Sequence, residues 1–187
     1  VGFGSIGQEV AQRARAFDME ILAFDPALDT AVAAALGVEA VDSVEALASR
    51  SDVLTVHVGL NKHTRGLINA AVLDALPAGS IFVNTSRGPV VDEAALIKVV
   101  KEKGVRAGLD VFCDEPAADG EWSTELASLP GVYGTHHIGA STVEAQEAVA
   151  MEACRVVEVY GQSGTPPNCV NLAKQTPATH LLILRHR

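Results

Sequence analysis

Basic residues are scarce in this chain: 14 Lys and Arg stand against 23 Asp and Glu, a formal net charge of −9. That balance gives no support to nucleic-acid binding or to docking on an anionic membrane, although a locally positive pocket for a small anion stays open. Cysteine is sparse as well. Cys113, Cys154 and Cys169 lie far apart without CxxC spacing, which speaks against a disulfide framework or a metal site. A reducing, cytoplasmic setting is expected. The apolar runs fall far short of the ~20 residues that cross a bilayer, and no signal-peptide pattern opens the chain. With 48% hydrophobic and only 20% charged residues, the composition is that of a folded domain rather than a disordered segment.

What is present is alternation. The chain opens with Val1-Gly2-Phe3-Gly4-Ser5-Ile6-Gly7. Such a turn follows an apolar strand, and only Val1 can belong to one, so the chain reads as beginning inside its first strand. Ile6, Val10, Ala14 and Phe17 then fall at helical spacing on one face. Residues 20–25 read as a buried strand ending in an acid. Further strands are expected over 38–41, 52–58, 80–84, 106–111 and 132–135. Helices are expected over 31–36, from Ser43 to Ala48, over 69–76 and after Asp92, with Ser43 and Asp92 as caps. Nearly all-apolar strands alternating with helices imply a parallel sheet covered on both faces, a doubly wound α/β fold. From Thr142 a helix of about five turns carries Val149, Ala153, Val156 and Tyr160 on one face. A breaker-rich linker is expected over 161–167 and a strand-like run over 180–185.

Two groups of residues carry chemistry. In Gly2-x-Gly4-x-x-Gly7 the first glycine permits a tight turn, the second a close approach of pyrophosphate, and the third close helix–strand packing. The phosphates then meet free amides at a helix N-terminus. Asp25 lies 18 residues beyond Gly7, where a carboxylate accepts both ribose hydroxyls and repels a 2′-phosphate. No arginine follows it, so NAD is favoured over NADP. The bland alternative for Asp25 is a solvated acid opening the Asp25-Pro26 turn. The second group closes later strands: Arg87 in NTSRGPVVDE, Glu115 in LDVFCDEP and His137 before IGAST. Ligands of open parallel sheets bind at the carboxyl ends of the strands, so a cation, an acid and an imidazole placed there can share one crevice. That set suits oxidation of a hydroxy acid. His57 and His63 read as strand-end and loop histidines, Cys113 as a passive thiol, and the Asn84-Thr85-Ser86 sequon as coincidence.

These blocks resemble the D-isomer-specific 2-hydroxyacid dehydrogenases from Val1 to about Val170. The resemblance implies that Arg87 binds the substrate carboxylate, that His137 takes the hydroxyl proton, and that Glu115 fixes the His137 tautomer. It implies cofactor contacts from Gly2, Gly4, Ser5, Ile6, Gly7, Asp25, Val58, Gly59, Thr85, Ser86, Asp110, Gly139 and Ala140. Two positions depart from the family pattern, which usually has Pro before the catalytic His and Pro after the fourth strand. Here they hold His136 and the Val58-Gly59 pair. Register favours His137 over His136 as the base. The implied layout is an NAD-binding domain over 1–141, a return helix and linker of the substrate domain over 142–170, and an ACT-like regulatory domain beginning at 171. The tail and the 137–146 segment resemble the phosphoglycerate dehydrogenases of that family, which implies 3-phosphoglycerate as substrate. Glycerate, hydroxypyruvate or D-lactate is the alternative, as is a non-catalytic NAD-sensing scaffold. A dimer or tetramer is implied, as is inactivity of these 187 residues alone, because most of the substrate cleft belongs to the other domain.

Overall fold

The computed structural model describes residues 1–116 and 120–169. It divides into two compact units, Val1–Gly139 and a second beginning at Ala140. The first unit runs α1 (Ser5–Arg15), β1 (Ile21–Ala23), α2 (Thr30–Ala35), β2 (Val38–Ala40), α3 (Val44–Ser49) and β3 (Val53–Val56). It continues with α4 (Ala70–Ala75), β4 (Ile81–Asn84), α5 (Glu93–Lys103), β5 (Arg106–Leu109) and β6 (Val132–Gly134).

All strand pairs are parallel. β1 pairs with β2, and β3, β4, β5 and β6 pair in that order. Val1 and Gly2 join the two sets. The Val1 nitrogen donates to the Thr55 carbonyl at 2.8 Å, and the Val1 carbonyl accepts from the His57 amide at 2.8 Å. On the other side the Gly2 amide donates to the Phe24 carbonyl at 2.9 Å. The order is therefore β2, β1, Val1–Gly2, β3, β4, β5, β6, with the chain reversing its direction of growth beside the glycine turn. In β1, Leu22 packs against one apolar cluster while Ile21 and Ala23 pack against another. That split puts a core on each face. The larger core holds Leu54, Ile68, Leu73, Phe82 and Leu96, all fully buried. Truncating Phe82 to Ala is expected to cost about 3–5 kcal/mol.

Local signals explain most boundaries. Ser43 Oγ accepts from the Ala46 amide, Asn69 Oδ1 from Val72 and Asp92 Oδ1 from Ala95, each capping the helix that follows. Three expectations need correction. The buried side of α1 is Gly7 and Ala11, while Ile6 is 67% and Phe17 80% exposed. The helix lies so close to the glycine turn that only small residues fit beneath it, which turns the larger side chains outward. The strand expected over 20–25 is confined to Ile21–Ala23, because Asp25 already belongs to a turn that its own carboxylate closes. The third concerns the second unit. Its helix α6 (Val143–Ser163), capped by Thr142, extends through Gly161 and stops at Gly164, which takes the left-handed conformation (φ 67°). None of its residues is buried. The strand expected over 180–185 and the ACT-like segment from 171 lie outside the described residues. Among the described residues no helix is long and apolar enough to cross a membrane.

Candidate active site

The glycine turn is built for backbone proximity. Gly2 has φ 85°, and a Cβ there would sit 2.7 Å from the His57 carbonyl oxygen and 2.8 Å from Val58 Cγ1. A Cβ on Gly7 would meet the Gly2 carbonyl oxygen at 2.3 Å. Gly4 is different: among the described residues nothing lies within 4 Å of its Cβ position, and it begins α1 without a side-chain cap. The first amides of α1, those of Ser5 and Ile6, are left uncapped by any described side chain at the positive end of the helix dipole. Asp25 closes the turn from β1. Its Oδ2 accepts from the Phe3 amide and its Oδ1 from the Ala27 amide, both at 2.8 Å. The acid thus opens the Pro26 turn and also fixes the glycine turn. Uncapped amides of this kind could hold an anion, and the Asp25 carboxylate has lone pairs left that could accept ribose hydroxyls. Val58 packs beside Gly2, and the exposed Gly59 carbonyl takes the Thr64 hydroxyl at 2.6 Å.

The second group rises from the ends of three neighbouring strands, β4, β5 and β6. After β4, the buried side chain of Asn84 accepts the Ser86 amide (3.0 Å) and hydroxyl (2.8 Å) and donates to the Arg87 carbonyl (3.1 Å). This holds Thr85, Ser86 and Arg87 in a bend. The Arg87 side chain is exposed, with one guanidinium nitrogen donating to the Ser86 carbonyl at 2.6 Å. After β5, Glu115 Oε1 accepts the Phe112 amide at 2.6 Å. Its other oxygen lies 2.8 Å from His137 Nδ1. That contact favours Nδ1–H and leaves Nε2 as the free acceptor. Among the described residues no carboxylate holds His136 in this way.

Asp110 fixes the His137 turn from below. Only 7% exposed, it accepts the amides of Ile138 and Gly139 at 2.9 Å each and the hydroxyl of Thr135. Its carbonyl accepts the His137 amide at 2.8 Å. Burial would raise the Asp110 pKa, but the Thr135 hydroxyl, the two amides and the nearby His137 outweigh it, and the net shift is downward. His137 itself sits at φ 58°, a conformation that non-glycine residues rarely take and that persists only when the surroundings impose it. Gly139 is required beside this carboxylate, since a Cβ would come within 2.9 Å of Asp110 Oδ2. Ala140 begins the second unit, where its carbonyl accepts from the Gln146 side chain at 3.3 Å.

The Arg87 and Glu115 loops touch directly. A Cβ on Gly88 would lie 2.0 Å from both the carbonyl carbon and oxygen of Phe112. Sequence reading missed the roles of Asn84 and Gly88. An amide side chain closing an otherwise apolar strand must satisfy itself locally, which was the available signal for Asn84. Nothing local marks Gly88, because its reason lies 24 residues away. Cys113 reads as inert here too: burial first, then the Glu93 carboxylate, push its thiol up to about 12.

Residues 1–139 match the family described as D-isomer specific 2-hydroxyacid dehydrogenase, NAD binding domain. The chain belongs to the D-isomer-specific 2-hydroxyacid dehydrogenases. The cofactor of this dehydrogenase domain is NAD, and the uncapped α1 amides, the open Gly4 position and Asp25 fit it. The chain is 39% identical over 173 residues to a D-3-phosphoglycerate dehydrogenase of Methanocaldococcus jannaschii, covering 92% of this chain and 32% of that protein. It is 48% identical over 153 residues to a hydroxypyruvate reductase of Thermotoga maritima, covering 81% and 48%. A D-lactate dehydrogenase of Aquifex aeolicus, solved with NAD and lactic acid, superposes with TM-score 0.72 at 30% identity, covering 86% of this chain and 52% of that one. The chain thus spans about a third to a half of the relatives' length.

Proposed function

We propose that the complete protein oxidises 3-phosphoglycerate to 3-phosphohydroxypyruvate, as an NAD-dependent D-2-hydroxyacid dehydrogenase working in the cytoplasm as a homo-oligomer. The observation that carries the chemistry is the Glu115–His137 contact at 2.8 Å, held on the turn that Asp110 anchors. With Nδ1 committed to Glu115, Nε2 of His137 takes the hydroxyl proton of the substrate. Glu115 stabilises the imidazolium that results. The Arg87 guanidinium keeps donors free for the substrate carboxylate, binding it and polarising the reacting oxygen. Bound NAD supplies the acceptor for the hydrogen and electron pair that leave C2. Thr85, Ser86, Val58 and Gly59 line the cofactor, and the amides of Ser5 and Ile6 hold its pyrophosphate.

The phosphorylated substrate is supported by the phosphoglycerate dehydrogenase relative, whose match extends over 92% of this chain. The second reading, reduction of hydroxypyruvate, is favoured by the higher identity of the Thermotoga relative. A steady-state panel on the complete protein decides between them, comparing 3-phosphoglycerate, D-glycerate, D-lactate and hydroxypyruvate with NAD(H). The highest kcat/KM is expected for 3-phosphoglycerate, with turnover abolished in Arg87→Ala. A preference for the unphosphorylated pair would overturn the substrate. Full activity of Arg87→Ala would overturn the mechanism.

A further inference from the structure

The strongest unassigned feature is a carboxylate that bridges the Arg87 and Glu115 loops without belonging to either strand end. Glu93 stands in the first turn of α5, half-buried, and its Oε1 accepts the Cys113 amide at 2.6 Å. The preceding amide, that of Phe112, is held by Glu115 at 2.6 Å. Two consecutive amides of one turn are thus taken by two carboxylates, one that meets His137 and one from α5. The segment that begins with Arg87 and ends at Glu93 therefore touches the 112–113 peptide at both ends. Gly88 abuts the Phe112 carbonyl, and Glu93 grips the Cys113 amide. The Cys113 thiol adds a weak contact to the Val91 carbonyl at 3.8 Å between them. The Phe112 ring stacks edge-on against Trp122, with centroids 4.9 Å apart, so the far side of the turn is braced as well.

We propose that Glu93 is a positioning residue for the dehydrogenase reaction: by holding the Cys113 amide it fixes the turn that presents Glu115 to His137, at a set distance from Arg87. The proposal rests on the function above. Its rival is a helix-start role alone, in which the negative charge near the α5 N-terminus favours the dipole and nothing more. The two differ in what each substitution does. Glu93→Gln keeps an oxygen acceptor and loses the charge. Glu93→Ala loses both. Glu93→Asp keeps the charge but is too short to reach the amide in place. Helix α5 retains its cap in all three, since Asp92 Oδ1 accepts from the Ala95 amide at 3.0 Å.

The test uses the complete protein at saturating NAD, with kcat, KM, NAD affinity and the ¹⁵N signals of the His137 ring measured for each variant. In Glu93→Ala and Glu93→Asp, kcat is expected to fall roughly ten- to a hundredfold, the loss typical of catalytic groups displaced by an ångström. NAD affinity should hold, and the His137 ring should lose its single Nδ1–H form. Glu93→Gln should restore kcat and the ring signature. Parent-like kcat in both Ala and Asp variants would overturn the proposal, and so would a Gln variant as impaired as Ala. Should Ala not fold, the Asp and Gln pair decides alone. If the parent turns over no hydroxy acid, the functional reading fails, while the ring signature still reports whether Glu93 holds the turn.

Discussion

Replacing Gly88 by alanine puts a methyl carbon 2.0 Å from the carbonyl carbon and oxygen of Phe112. The obstacle is backbone, not the tip of a side chain, so no rotamer change relieves it. Ordinary contact begins at 3.4 Å, so the Arg87 and Glu115 loops must part by about 1.4 Å. Overpacking of this kind costs about 1–3 kcal/mol, enough to lower the melting temperature by several degrees without unfolding the domain. In the proposed mechanism, a displacement beyond 1 Å between Arg87 and the Glu115–His137 pair is expected to cut kcat about a hundredfold. The glycine turn proposed to hold the pyrophosphate lies ahead of α1, between β1 and β3, away from Gly88 on the far side of β4, so NAD affinity should change little. The assay is NADH formation by absorbance on the complete protein, with NAD affinity by calorimetry and a thermal melt beside it. A Gly88→Ala variant with parent-like kcat/KM would show that the contact between these loops does not set the catalytic geometry.

Two further outcomes are expected. Gly4→Ala should leave the melting temperature unchanged, because no atom of the described residues lies within 4 Å of the new methyl, yet weaken NAD by about tenfold, some 1.4 kcal/mol; unchanged affinity by calorimetry would show that the pyrophosphate does not approach there. Burial above all lowers the His57 pKa, from 6.5 to about 4. The unfolded chain therefore binds this proton first, and stability should fall as pH drops from 6.5 towards 4. Urea melts across this range should flatten between pH 6.5 and 4 in His57→Gln, and an unaltered slope would remove His57 from the acid response.

Much of the architecture was legible because its causes are local. Ser43 and Asp92 cap the helices they were expected to cap, since an N-cap is decided within three residues. The apolar strand runs were legible for the same reason. Large apolar side chains misled the reading of α1, where the controlling contact is a helix pressed onto the Gly2 carbonyl. Spacing alone counts Ile6 and Phe17 as core. It cannot see that Gly7 and Ala11 are the residues with room.

The amino-acid order alone determined the alternation of strands and helices, the glycine turn, and the three strand-end blocks from which Arg87, Glu115 and His137 come. Those are properties of short segments, written in periodicity and composition. Register had favoured His137 over His136, and the fold sets its ring against Glu115; tertiary structure alone decided that Asp110 lies beneath the His137 turn, Gly88 against Phe112 and Glu93 on the Cys113 amide. Each of these contacts joins residues some 20 or more positions apart, and their partners are fixed only when β4, β5 and β6 line up side by side. The order of strands in the sheet is what brings the ends of β4, β5 and β6, and the blocks that follow them, side by side.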